Sequence, residues 1–361
     1  MQIKKIIIAL VLFLVVVIVA AIIYSDQIRN NQEIEGLKVS PNFVQREIAQ
    51  REFFYSYKEW KEAYVTDKGT NGPGQFRVKR PENQDDSVSE GIAYGMIFAL
   101  HANDKETFDG LWQYAKSNFN QHGLMSWVVS QSGEVIDYNS ATDADLDMAY
   151  SLIGANNKWG KYKNEALELI KNILEYDVEK DTDVLKPSDN WGGSDVTNPS
   201  YFSPAYFELF REFSGDKRWD KVAQKSREIL AKTNAKEPVL PDWVSAEGDK
   251  KDIGNENSRY YEAIRIPWRQ AMGVLWFSDK DEIAKPAFKQ LLLANSFFEK
   301  NQNMLNDTSF ISSAVNASLS SKNEEYKKDL FSKLVESKNK GYYHDSLRML
   351  TLLLFSNKMI H

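Results

Sequence analysis

The chain has 361 residues, 45 Lys and Arg against 51 Asp and Glu, a formal net charge of −6 at pH 7, and no cysteine. Without cysteine there is neither a disulfide framework nor a lipid-modified cysteine anchor. The two signs of charge are interspersed without basic blocks, so no nucleic-acid partner is expected.

At the N-terminus, Lys4 and Lys5 precede an uninterrupted apolar run from Ile6 to Ile23, close to the roughly 20 residues a helix needs to cross a bilayer. The two lysines would stay in the cytoplasm, which puts everything after Tyr24 on the outer side. Residues 1–24 are therefore expected to be a single-pass transmembrane anchor or uncleaved signal. Small residues at Val19-Ala20-Ala21 leave cleavage as the alternative. Residues 25–40 read as a polar linker. No composition break, repeat or low-complexity tract divides residues 41–361, which are expected to form one domain.

Apolar spacing of helical period runs through twelve segments. In chain order they are Phe43 to Tyr64, Ser89 to Ala102, Asp104 to Asn118, Thr142 to Asn156, Lys161 to Tyr176 and Ser203 to Phe213. Then follow Lys217 to Thr233, Ser258 to Phe277, Asp281 to Glu299, Ser309 to Leu319, Asn323 to Glu336 and Tyr343 to Phe355. Strand signals are confined to short pieces such as Leu124 to Val129. If consecutive helices pair as antiparallel hairpins, the even-numbered segments all open at one end of the molecule. Glu90 opens the second and Asp143 the fourth, the Pro199–Pro204 turn precedes the sixth, and Tyr261-Glu262 fall in the first turn of the eighth. Two long loops, Asp183 to Ser203 and Asn234 to Asn257, belong to the same rim and carry Trp191 and Trp243. Loops of that length inside a domain are usually functional or disordered; the embedded tryptophans argue for function, although a tryptophan also serves simply to pin its loop.

Two stretches carry the chemistry. In Ser89-Glu90-Gly91-Ile92-Ala93-Tyr94-Gly95-Met96, Ser89 is a good N-cap and Glu90 lies in the first turn. Gly91 and Gly95 share a face at a cost of about 1 kcal/mol each relative to alanine, which implies close approach of a neighbour or a ligand. An acid there also complements the helix dipole with no further role. In the second stretch, Ala141 to Trp159, Thr142 or Asp143 caps a helix and again sets a carboxylate at its mouth.

SEGIAYGM and ATDADLDMAYSLIGANNKW together resemble the signatures of glycoside hydrolase family 8, the second over its whole length. The resemblance implies an all-α fold, an (α/α)6 barrel of about twelve antiparallel helices, here preceded by the transmembrane helix, with residues 41–361 as the catalytic domain. It assigns the general acid to Glu90, and to Asp143 the acid that grips the distorted sugar and the attacking water. A helix mouth lowers a carboxyl pKa, so Glu90 must be kept protonated by burial, for which Tyr94 and Trp127 are candidates. The stretch Arg259 to Arg269 resembles the family's Tyr-Asp-Ala-x-Arg-x-Pro-Trp-Arg segment, whose Asp is the base; here that position is Glu262, one methylene longer. One branch of the family takes its base from the preceding loop, so Glu247 and Glu256 are the alternatives. Arg265 can pair with Glu262 and keep it ionised. Tyr261, Tyr201, Trp191, Trp127 and Tyr94 are expected to meet sugar. Asp145 and Asp147 are expected to support or cap, with Asp145 also a candidate substrate contact.

No cofactor or metal is expected, since His101, His122, His344 and His361 are scattered. The expected function is an extracellular, membrane-anchored, inverting endo-β-glycosidase acting on a β-1,4-linked polysaccharide. Members of the family cut cellulose, mixed-linkage glucan, chitosan or xylan, and some accompany machinery that makes a cell's own exopolysaccharide. A lone tethered domain fits a self-produced exopolysaccharide or biofilm polymer, cellulose-like or amino-sugar, with an exopolysaccharide synthase complex as a further partner. The alternatives are a non-catalytic polysaccharide-binding surface protein, a secreted cellulase or chitosanase acting on environmental polymer, and a polysaccharide lyase. Sparse histidines and the acidic balance speak against the lyase.

Overall fold

The computed structural model describes residues 39–236, 241–253, 260–338 and 340–359. The Ile6–Ile23 run lies outside them, as do Glu256 and Arg259; among the described residues no helix is long and apolar enough to cross a membrane.

Among the described residues, twelve α-helices make up the unit from Ser40 onward. They are α1 Phe43–Tyr64, α2 Ser89–Ala102, α3 Lys105–Ser117, α4 Thr142–Trp159, α5 Lys163–Asn172 and α6 Pro204–Ser214. The second half holds α7 Arg218–Lys236, α8 Ile266–Trp276, α9 Asp281–Lys300, α10 Thr308–Ala317, α11 Glu324–Glu336 and α12 Tyr342–Phe355. Burial separates them into two layers. Helices α2, α4, α8, α10 and α12 are buried almost all round, whereas the odd-numbered helices bury one face each. A helix apolar all round belongs inside and an amphipathic one outside. The even helices pack on one another in succession, and α12 returns to α2 and closes the ring, while α1 packs against α12. This is the arrangement of an (α/α)6 barrel.

Local chemistry explains most boundaries. Asn42 caps α1 in a reciprocal capping box with Gln45, and Gly160 ends α4 in the left-handed region at φ +76°. Three expectations are corrected. Val88, not Ser89, occupies the cap position of α2, because its backbone is extended and pairs with Val128. Ala141 occupies that of α4; Thr142 already lies in the helix and donates its N–H to the Pro187 carbonyl at 3.1 Å. Helix α8 begins at Ile266, with Pro267 in its first turn, so Tyr261 and Glu262 precede it, next to a 3-10 turn at Ala263–Arg265.

The described residues also hold five short strands: β1 Val65–Thr66, β2 Arg77–Val78, β3 Ser87–Val88, β4 Val128–Val129 and β5 Val135–Asp137. The strand expected over Leu124 to Val129 shrinks to β4, because Leu124 folds back and its carbonyl accepts from Asn120 N–H at 2.8 Å. Strands β3, β4 and β5 form an antiparallel sheet with Ser87 opposite Val129 and Val88 opposite Val128. Its register matters, because Ser89 N–H then reaches the Trp127 carbonyl at 2.9 Å, which fixes the start of α2 beside Trp127.

The expected close approach to the glycines is also met. A Cβ on Gly91 would stand 2.9 Å from the Tyr342 hydroxyl oxygen, and one on Gly95 would stand 2.8 Å from Leu111 Cδ1 and 3.0 Å from Val78 Cγ2.

Candidate active site

The mouths of α2, α4 and α12, with the turns that precede α6 and α8, surround a cleft of about 550 Å³. Glu90 from α2, Asp143 from α4 and Glu262 from the turn before α8 meet there on one side chain, Arg265. Its Nη1 donates to Glu90 Oε2 at 2.8 Å and to Asp143 Oδ2, and its Nη2 donates to Glu262 Oε2. The guanidinium is 4% exposed, against 17% for the Glu90 side chain and 35% for Glu262, so the cation forms the floor and Glu262 the most open wall. Arg265 also lies 5.5 Å from the centre of the Tyr201 ring.

Three carboxyl groups around one cation cannot all be ionised without a net charge of −2 in a largely dry site. Burial pushes Glu90 up to about 7; the Asp143 and Glu262 charges add to the rise, while Arg265 and the Tyr342 hydroxyl, which donates to Oε1 at 3.0 Å, oppose it. Burial raises Glu262 as well, against the pull of Arg265. Asn198 Nδ2 donates to Glu262 Oε2 at 2.9 Å. Glu90 is thus the group poised to carry a proton at neutral pH, and Glu262 the partly solvated carboxylate.

The walls are aromatic. Trp127, Trp191, Trp243, Tyr201, Tyr261, Tyr342 and Tyr343 line the cleft, with Trp127 42% and Trp191 40% exposed. Trp191 and Trp243 come from the two long loops and lie 5.6 Å apart between ring centres. Tyr261 donates its hydroxyl to Asp307 Oδ2 at 3.0 Å, and Tyr343 donates to the Tyr261 carbonyl at 2.6 Å.

Of the residues singled out from sequence, Glu90, Asp143, Glu262, Arg265, Trp127, Trp191, Tyr201 and Tyr261 converge on this cleft. Tyr94 and Asp145 do not: both are fully buried and stand behind its wall, so neither offers substrate a surface. Asp145 lies near Asp177, whose carboxyl burial pushes up to about 8. Asp177 in turn accepts from Ser140 Oγ at 3.0 Å, and Ser140 lines the cleft. Asp147 makes a two-pronged buried pair with Arg269 at 2.5 and 2.8 Å. Glu247, one alternative base, is exposed and paired with Lys232 at 2.7 Å, and it does not line the cleft.

Tyr342, Tyr343, Asn198 and Arg80 are cleft or site residues that sequence reasoning missed. For the tyrosines the signal was available: helix twelve is even-numbered and therefore also opens at the rim.

A ring of paired helices whose rim gathers a raised-pKa acid, two further carboxylates and a sheath of aromatics defines a glycoside hydrolase. The family model for "Glycosyl hydrolases family 8" matches residues 42–357, and the chain belongs to that family. It is 38% identical over 321 residues to endoglucanase 2 of Ruminiclostridium josui, covering 82% of this chain and 69% of that one. It is 36% identical over 327 residues to endoglucanase A of Acetivibrio thermocellus, covering 82% and 67%. Among solved structures, the β-1,3-1,4-glucanase of Paenibacillus sp. X4 superposes with a TM-score of 0.79 at 26% identity, over 90% of this chain and 95% of that one. The protein is an endoglucanase-like O-glycosyl hydrolase.

Proposed function

We propose that the chain is an inverting endo-β-1,4-glycanase in which residues 41–361 form the catalytic domain, residues 25–40 the tether and Ile6–Ile23 a membrane anchor. Its substrate is a polymer that the cell itself exports. The observation that carries the catalytic part is the single guanidinium of Arg265 holding Glu90, Asp143 and Glu262 at the floor of an open cleft. In the reaction, Glu90 gives its proton to the glycosidic oxygen as the C–O bond breaks. A water on the opposite face of the sugar attacks the anomeric carbon, and its proton passes to Glu262. Asp143, oriented by Arg265, accepts from the sugar and the water and favours the charge that develops on the ring. The apolar faces of consecutive sugars lie on Trp127, Trp191 and Trp243.

A glucan backbone is favoured by the relatives, which are endoglucanases and a β-1,3-1,4-glucanase. The surface location is supported by the two lysines and the apolar run that follows them. An enzyme tethered there meets polymer emerging from the same cell before any other, which favours trimming of a self-produced cellulose-like exopolysaccharide, beside its synthase complex.

The test is release of reducing ends from cellulosic, mixed-linkage, chitosan, xylan and amino-sugar exopolysaccharide substrates, for wild type and Glu90→Gln, with the anomer of the first product read by NMR. Release of the α-anomer from a β-1,4-glucan, lost in the variant, is expected. A β-anomer would sink the inverting mechanism. Oligosaccharide binding without cleavage of any polymer would replace the enzyme by a binding protein.

A further inference from the structure

Glu262 is held from two directions by one substructure. From below, the Asp242 carboxylate collects three backbone N–H groups of the segment that carries Glu262. Its Oδ1 accepts from Glu262 at 3.1 Å and Ala263 at 2.8 Å, and its Oδ2 accepts from Tyr260 at 2.8 Å. An aspartate from a separate loop thus caps the 3-10 turn Ala263–Arg265. Tyr260 stands at φ +74°, a conformation that persists in a tyrosine only when its surroundings impose it. From above, Asn198 holds the Glu262 carboxylate at 2.9 Å.

The two holders are joined. Thr197, which precedes Asn198, and Val244, two residues after Asp242, exchange backbone hydrogen bonds at 2.7 and 3.0 Å. Between Asp242 and Val244 sits Trp243, whose ring forms the aromatic platform with Trp191. A sugar pressing on Trp243 therefore acts on the residue next to the one that caps the Glu262 turn.

We propose that Asp242 is the positioning residue of the Glu262 turn, and that through the Thr197–Val244 bridge a sugar on the Trp191–Trp243 platform sets where the Glu262 carboxylate stands. This rests on Glu262 being the base. Substrate filling the platform then tightens the base turn, so a short substrate that leaves Trp243 empty is turned over more slowly as well as bound more weakly.

The experiment uses the full-length chain in detergent. Asp242→Ala is expected to lower kcat about 100-fold, the size of effect a small misplacement of a reacting group produces, with KM within about threefold. Asp242→Asn keeps the Oδ1 acceptor for two of the three N–H groups and is expected to restore kcat to within about tenfold of wild type.

The titratable groups that bear on Glu262 are Arg265, Asp143, Glu90, Asp242 and the phenols of Tyr201 and Tyr343. The Asp242 charge raises Glu262. Removing it in Asp242→Asn is expected to move the acidic limb of kcat/KM to lower pH, which loss of a merely structural contact would not do.

Hydrogen–deuterium exchange reads the turn directly. Exchange over residues 260–263 is expected to speed up about tenfold in Asp242→Ala. With cellohexaose added it is expected to slow in Glu90→Gln but not in Glu90→Gln/Trp243→Ala. Unchanged exchange in Asp242→Ala, or equal slowing with and without Trp243, overturns the proposal. Full activity in Glu262→Gln removes the base reading alone, because exchange reports on the turn whether or not Glu262 takes the proton.

Discussion

Arg265 acts on Glu90 and Glu262 in the same direction, which suits a base and opposes an acid. It stabilises every ionised carboxylate around it, and in doing so keeps Glu90 from rising beyond about 7. A general acid works only while protonated, so kcat/KM is expected to fall as pH rises through about 7. A base works only while ionised, so the acidic limb follows Glu262, which burial also raises. Arg265→Met removes the cation and should raise both carboxyls, moving both limbs of the pH profile upward with a large loss of kcat. A profile that keeps its limbs would mean that Glu90 and Glu262 are not the titrating groups. Glu262→Asp recreates the carboxylate of the family's usual segment but shortens the reach to Asn198 and Arg265. It is expected to retain part of the activity that Glu262→Gln loses. The role of Arg265 was only half legible in the sequence. Its pairing with Glu262, three residues away, follows from spacing, whereas its bonds to Glu90 and Asp143 span 175 and 122 residues and no local pattern encodes them.

At the scale of elements, the inner helices are positioned by contacts without slack. Gly91→Ala would push the Tyr342 hydroxyl from its place on Glu90, so activity should suffer more than stability. Gly95→Ala meets Leu111, Val78 and Trp60. Overpacking there is expected to cost about 1–3 kcal/mol, offset by about 1 kcal/mol of gained helix propensity; chemical denaturation of both variants separates the two outcomes. The Asp147–Arg269 pair ties α4 to α8, with the guanidinium 4.6 Å from the Trp268 ring centre and 5.3 Å from that of Tyr206. Arg269→Leu leaves Asp147 buried and unpaired, a loss of about 3–5 kcal/mol. Replacing both partners by apolar residues should recover much of it.

Periodicity gave the bounds of α1 and α2 as the structure has them; Asn42 opens α1 and Asn103 closes α2, while short strands take over at Val65 and before Ser89. The start of α8 was out of reach. Its pattern extends backward through Tyr260, but the backbone there is held by Asp242 from another loop, and a cap supplied from outside leaves no trace in the helix's own residues. Tyr94 and Asp145 are out of reach for another reason: Tyr94 lies one turn below Glu90 on the same helix face, under the cleft, and Asp145, two residues from Asp143, turns away toward Asp177 and Asp189.

For the whole molecule, the proposed membrane anchor makes a prediction independent of chemistry. The full chain is expected to remain with membranes after a salt and carbonate wash, and a protease added to spheroplasts is expected to release active enzyme. A chain starting at Asp26 is expected to be soluble and equally active on short oligosaccharides. Recovery of the full chain in the soluble fraction would remove the anchor.

The closure of the ring also orders events in time. Glu90 is made early and Tyr342, which donates to its carboxyl, comes from the last helix, so no nascent or truncated polypeptide ending before α12 contains a finished site. The glycosidase is thereby without a finished centre while it is being synthesised. Loss of even the final helix, by a premature stop or a proteolytic nick, should leave a chain with every acidic residue of the cleft and no competent centre.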